Sequence, residues 1–129
     1  MTLPTSRNYR DLQVWQQAIE IVEAVYHASD RWPAGERHAL TDQVRRAAVS
    51  IASNIAEGWG RQRDGEGQSE FRHFLRIAYG SLMEVETQLT IAARLRYGER
   101  QDLDALRAGT TTLAKMLNAL MSAVAERRK

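Results

Sequence analysis

A chain of 129 residues, 43% of them hydrophobic, is long enough for one domain to bury its own core without metal or disulfide staples. It holds no cysteine, which excludes a disulfide framework and a thiolate metal site and agrees with a reducing cytoplasm. A formal charge of +2 is too small to name a partner.

The cations are almost all arginine, with Lys115 and Lys129 the two lysines. That bias suits bidentate phosphate contacts, and a genome rich in arginine codons produces it as well. The opening residues carry no apolar leader, and no stretch approaches the roughly 18 apolar residues of a membrane span. A soluble, cytoplasmic protein without a membrane partner is expected.

Helical periodicity runs through nearly the whole chain. The first predicted helix covers residues 9–29 and sets Leu12, Trp15, Ala18, Ile19, Val22, Val25 and Tyr26 on one face. Asn8 or Asp11 is placed to cap its start. The connection DRWPAGE ends it, because Pro33 disfavours helix at Trp32 and Gly35 loosens the joint.

A second helix over 36–57 aligns Leu40, Val44, Ala47, Ile51 and Ile55 in one stripe. Ala48, Val49, Ala52 and Ala56 widen the apolar surface on one flank, beyond what a single core face needs. These four are the expected contacts with another subunit or partner. Glycines at 58, 60, 65 and 67 mark the main loop, GWGRQRDGEG. The third helix, 68–95, stacks Phe71, Phe74, Leu75, Ala78, Leu82, Val85 and Leu89. The fourth, 101–125, presents Leu103, Leu106, Leu113, Met116, Leu117, Leu120 and Val124. No segment alternates as a strand would. The pattern predicts an all-α single domain, an antiparallel up-down-up-down four-helix bundle.

Polar residues flank the core of the two central helices. Arg45, Arg46, Ser50, Asn54 and Glu57 lie on the second helix, and Ser81, Glu84 and Glu86 on the third. Glu86 falls roughly 60° from the Phe71–Leu82–Leu89 stripe, where an unpaired carboxylate is costly. An Arg46–Glu84 or Arg45–Glu86 pair across the hairpin is expected. No histidine, cysteine or nucleophile accompanies these carboxylates in sequence, so they read as a structural network and no catalytic residue is assigned.

Glu70-x-x-His73 matches half of a di-iron bundle site, but the second copy and two further glutamates that such a site needs are missing. No metal or cofactor is expected. The glycine loop lacks both the Gly-x-Gly-x-x-Gly pattern and the P-loop Gly-Lys-Ser/Thr. Arg61, Arg63, Arg72 and Arg76 around it are the candidate nucleic-acid contacts, with Trp59 either stacking on a base or closing the bundle end.

The order Tyr9-Arg10-Asp11-Leu12, Val14-Trp15, Pro33-x-x-Glu36, then Gln43-Val44-Arg45-Arg46-Ala47-Ala48-x-Ser50-Ile51-x-x-Asn54-Ile55-Ala56-Glu57-Gly58, is distinctive. The third helix adds Phe74-Leu75-x-Ile77-Ala78-x-Gly80-Ser81-Leu82-x-Glu84 and Glu86-x-x-Leu89. This order resembles the bacterial four-helix-bundle proteins encoded in intervening sequences of large-subunit ribosomal RNA genes. More distantly it is similar to the accessory proteins of diversity-generating retroelements. The resemblance implies an antiparallel bundle assembled as a ring-shaped homopentamer, without established catalytic activity. It also implies nucleic-acid binding, inferred mainly for the strongly basic retroelement branch. The expectation is a non-enzymatic homo-oligomer that contacts structured RNA or DNA through its arginines. The alternative is a protein-interaction scaffold with no nucleic-acid role.

Overall fold

The computed structural model describes residues 8–62 and 67–127, with side chains as far as 124. Four helices carry it: α1 (Gln13–Ser29), α2 (Leu40–Arg61), α3 (Gly67–Arg94) and α4 (Arg100–Arg127). Among the described residues no strand occurs. Each helix packs on two neighbours, α1 and α3 each touching α2 and α4 while the diagonal pairs stay apart. Partner residues run in opposite senses along every adjacent pair. Ser50 meets Ser81 and Gly58 faces Phe74 between α2 and α3. Arg107 meets Thr90 and Arg72 reaches Met121 between α4 and α3. Arg45 bonds Ser29, and Gln17 reaches Gly109. The chain is an all-α, antiparallel up-down-up-down bundle.

Its core lies along the bundle axis. Ile51, Ile55, Phe71, Leu75, Leu82, Leu89, Leu113, Leu117 and Leu120 are all essentially inaccessible. α2 to α4 bury the stripes that the periodicity predicts, except that Phe74 and Met116 are half-buried. α1 does not. It buries Val14, Ala18, Ile21, Val25 and Ala28, whereas Trp15, Ile19 and Val22 are half-buried and Tyr26 is exposed. Both arcs of α1 are apolar, so its own pattern leaves the rotation open. Small Ala18 and Ala28 let the neighbouring helices come close, while the Trp15 ring sits edge-on to Tyr9, 5.2 Å between centroids.

The helix ends also differ from expectation. Residues Tyr9–Asp11 form a separate 3-10 turn, with Asn8 Oδ1 accepting from the Arg10 amide at 2.9 Å. Leu12 is extended, and α1 starts after it. A second 3-10 turn, Ala34–Glu36, delays α2 until Leu40. Glu36 then stays outside the helix and accepts the free first-turn amide of Leu40 at 3.3 Å, as helix starts require. At its other end α2 continues through Gly58, Trp59 and Gly60, which the glycine pattern assigns to a loop. A Cβ on Gly58 would stand 2.7 Å from Phe74 Cβ and 3.1 Å from Phe71 Cδ1. Here glycine serves close helix approach rather than a turn.

α3 ends in a Schellman motif. The Tyr97 amide donates to Ala92 O at 2.9 Å and the Arg96 amide to Ala93 O at 3.1 Å. Arg96 holds the left-handed position, φ 59°, where glycine is usual and a side chain costs roughly 1–2 kcal/mol. Among the described residues no helix is long and apolar enough to cross a membrane.

Gly58→Ala is expected to lower stability by about 1–3 kcal/mol through overpacking. Gly60, with no atom within 4 Å of an added Cβ, gains roughly 0.5–1 kcal/mol from the same change, as open helix positions do. Urea unfolding of the two variants reads both signs. A Gly58→Ala protein as stable as Gly60→Ala contradicts the close α2–α3 seam.

Candidate nucleic-acid interface

The polar strip between α2 and α3 is partly as expected. Ser50 Oγ and Ser81 Oγ share a hydrogen bond of 2.8 Å. Asn54 Nδ2 donates to Ser50 O at 2.8 Å and to its Oγ at 3.0 Å. The Ser50–Ser81 bond joins the two helices and the Asn54 bonds brace Ser50 within α2, neutral hydrogen bonds each worth about 0.5–1.5 kcal/mol.

The expected Arg–Glu pairs do not form. Arg45 lies on the opposite flank of α2, at the end of α1. Its Nε donates to Ser29 Oγ at 2.9 Å and its Nη2 to Tyr26 O at 3.3 Å, and Asp30 stands 4.0 Å away. Its guanidinium also covers the Tyr26 ring at 4.6 Å. A helix C-terminus offers free carbonyls and the negative end of the dipole, which explains the choice. Arg46 pairs within its own helix, with Asp42 at 2.9 Å, largely in solvent. Glu57 likewise pairs with Arg61 at 3.2 Å. Among the described residues neither Glu84 nor Glu86 makes an ion pair; Glu84 is exposed and Glu86 half-buried.

The four residues expected at a subunit interface separate into two pairs. Ala48 (0% exposed) and Ala52 (6%) belong to the protomer's own core. α2 packs on α1 as well as on α3, so this chain fills the second apolar flank of α2 itself. Val49 is 41% exposed and Ala56 half-buried. Ile77 and Ile91 on α3 are also exposed.

The arginines expected to meet phosphate gather at one end of the bundle, where α2 finishes and α3 begins. Arg61 is the last residue of α2, its guanidinium 5.5 Å from the Phe74 ring centroid. Arg72 is half-buried and donates from Nε to Met121 O on α4 at 3.3 Å, which orients the side chain. Arg76 follows one turn later and is exposed. Arg72 and Arg76 share a shallow polar cleft of about 260 Å³ with Ser69, Glu70 and His73. Arg63 lies outside the described residues. Trp59 is buried edge-on to Phe71, 6.0 Å between centroids, which is the packing role. Glu70 and His73 stand together, but no three histidine, aspartate or glutamate side chains among the described residues converge as metal ligands.

The opposite end holds a contact that periodicity gives no hint of. Tyr97 Oη donates to Glu36 Oε2 at 2.6 Å, tying the α3–α4 turn to the start of α2. The Tyr97 ring lies 6.2 Å from that of Trp32, and Gly98 brings the turn so close that a Cβ would meet Trp32 Cδ1 at 2.9 Å. The hydrogen bond to Glu36 is the main cause raising the Tyr97 pKa above its ordinary 10.0, with desolvation and the nearby carboxylate charge acting the same way.

Similar proteins bear on this arrangement. A family model described as 23S rRNA-intervening sequence protein matches residues 10–119. A crystal structure of a protein with unknown function from the S23 ribosomal protein family of Bacteroides thetaiotaomicron superposes with a TM-score of 0.69 at 21% identity. The match covers 84% of this chain and 97% of that one, a likeness of fold. No curated protein shows significant sequence similarity.

In an alkaline titration followed by tyrosinate absorbance, one of the four tyrosines is expected to ionise late. Tyr97→Phe should remove that late component. The raised folded value means the bond's stabilisation is complete below pH 10.0 and is lost as pH rises through the higher folded pKa. A late component that persists in Tyr97→Phe contradicts the assignment.

Proposed function

The chain belongs to the 23S rRNA-intervening sequence protein family, and from that premise we propose that it is a non-catalytic, self-associating bundle that holds the phosphate backbone of structured RNA or DNA. The observation that carries the reading is the cleft that Arg72 and Arg76 share near the start of α3, with Arg72 oriented by an α4 carbonyl, Arg76 exposed, and Arg61 at the same end of the bundle. Guanidinium forks match phosphate oxygens bidentately. The family's description ties it to a segment of 23S rRNA, which favours RNA as the first ligand to test and the cytoplasm as the place of action.

Self-association fits the exposed apolar residues on the outer sides of α2 and α3, Val49, Ile77 and Ile91. A ring of copies, a pentamer by family resemblance, multiplies a weak patch into appreciable avidity. The same exposed residues favour one second reading, a protein-interaction scaffold. The two readings part on salt: phosphate contacts weaken steeply as salt rises, by a log–log slope of about 0.7–0.9 per contact, whereas an apolar partner does not.

Fluorescence anisotropy of a labelled RNA hairpin, titrated at several salt concentrations, tests the proposal. Wild type is expected to bind with a steep salt slope. Arg76→Glu, at an exposed site that leaves the fold intact, should weaken binding by about tenfold or more and flatten the slope. Arg72→Glu should weaken it further. Unaltered affinity in Arg76→Glu, or no binding at low salt, contradicts the arginine assignment and moves the function to the scaffold reading.

A further inference from the structure

At the end of the bundle opposite Arg72 and Arg76, the turn between α3 and α4 borders a cleft of about 630 Å³. Arg94, Arg96, Arg100 and Arg107 line it against a single carboxylate, Asp104. That carboxylate stands 3.9 Å from Arg100 Nε, too far for a strong hydrogen bond. Arg107 is steered by Nη2 donating to Thr90 Oγ1 at 2.8 Å. Arg94 and Arg96 make no side-chain hydrogen bond or ion pair among the described residues. Ala93, Leu103 and Tyr97 give the cleft an apolar wall, and its size falls within the roughly 300–1,000 Å³ of small-molecule sites.

Arg96 makes the cluster more than a chance crowding of cations. It occupies the left-handed position of the Schellman motif, φ 59°, where glycine would relieve the strain. A long cationic side chain held there sacrifices local stability and projects its charge beside three like charges. Such an outlier points to a ligand of opposite charge. Planar guanidinium forks recognise phosphate oxygens in pairs, and four of them exceed what one monophosphate neutralises. The first turn of α4 opens on the same cleft at Arg100, adding the positive end of a helix dipole.

We propose that this cleft binds a small anion carrying two linked phosphates, the chemistry of inorganic pyrophosphate or of the diphosphate group of a nucleotide. The site stands at the other end of the molecule from the proposed RNA contact and does not depend on it.

Calorimetric titration with inorganic pyrophosphate, and separately with ADP, tests the proposal in the intact protein. Wild type binds pyrophosphate more tightly than inorganic phosphate. Arg96→Gly raises the Tm by roughly 3–6 °C and yet weakens pyrophosphate binding by about tenfold or more, the loss of one charge-assisted contact. Arg100→Gln weakens binding to a similar degree, and Arg46→Gln, on the outer side of α2, leaves it unchanged. Equal affinity for ADP assigns the site to the bare diphosphate, while tighter ADP binding adds a nucleoside contact along the apolar wall. Failure of wild type to bind pyrophosphate at low salt overturns the proposal. So does wild-type affinity in both Arg96→Gly and Arg100→Gln.

Discussion

The close approach of α2 and α3 is the constraint on which the rest of the structure depends. Gly58 admits the Phe71 and Phe74 side chains to the α2 backbone at distances that exclude even a methyl group. Two turns earlier, Ser50 and Ser81 fix the register by a direct hydrogen bond. With the seam closed at both points, α2 runs on to Arg61 instead of stopping at its glycines. The extra turn lays the Arg61 guanidinium over Phe74 and brings it to the end where Arg72 and Arg76 emerge. Packing thus decides where the cations stand.

A second consequence concerns where chemistry can occur. The interior is lined by aliphatic and aromatic side chains. Of its few polar members Ser81 and Thr110 make neutral hydrogen bonds and Ser29 accepts from the Arg45 guanidinium, whereas Gln88 Oε1 has no hydrogen-bond partner among the described residues. Charged groups are left to the ends and outer faces. One end gathers arginines beside the α2–α3 connection. The other concentrates four more around the α3–α4 turn, one of them in a conformation that glycine would adopt at lower cost. Arg96 holds that conformation at a cost in local stability.

Fold class and helix number were legible because α2, α3 and α4 each carry an apolar stripe at helical spacing that burial largely reproduces. α1 was not, since its apolar residues ring the helix and only tertiary packing selects Val14, Ile21 and Val25 over Trp15 and Tyr26. The glycines at 58 and 60 look like loop residues in sequence; their role depends on phenylalanines met across the hairpin. Helical position put Ser50, Asn54 and Ser81 on polar strips without showing their mutual contacts, and Arg45 and Arg46 found nearer acceptors than the glutamates of α3. Arg94, Arg96, Arg100 and Arg107 escaped notice because they sit on two helices and a turn. The arginines at 94 and 96 before Gly98 and at 100 and 107 after it were the available clue. The width of the apolar surface on α2 was read correctly, but half of it, Ala48 and Ala52, turned out to face the chain's own helices.

That division of α2, an inner flank buried within the chain and an outer side left exposed, is most directly tested by sedimentation velocity combined with circular dichroism. The account predicts an oligomer for the wild-type chain. Val49→Glu should yield a monomer of undiminished helicity, and Ala52→Glu, which buries a charge in the core, should lose helicity. An unchanged mass for Val49→Glu, or a well-folded monomer from Ala52→Glu, would contradict it.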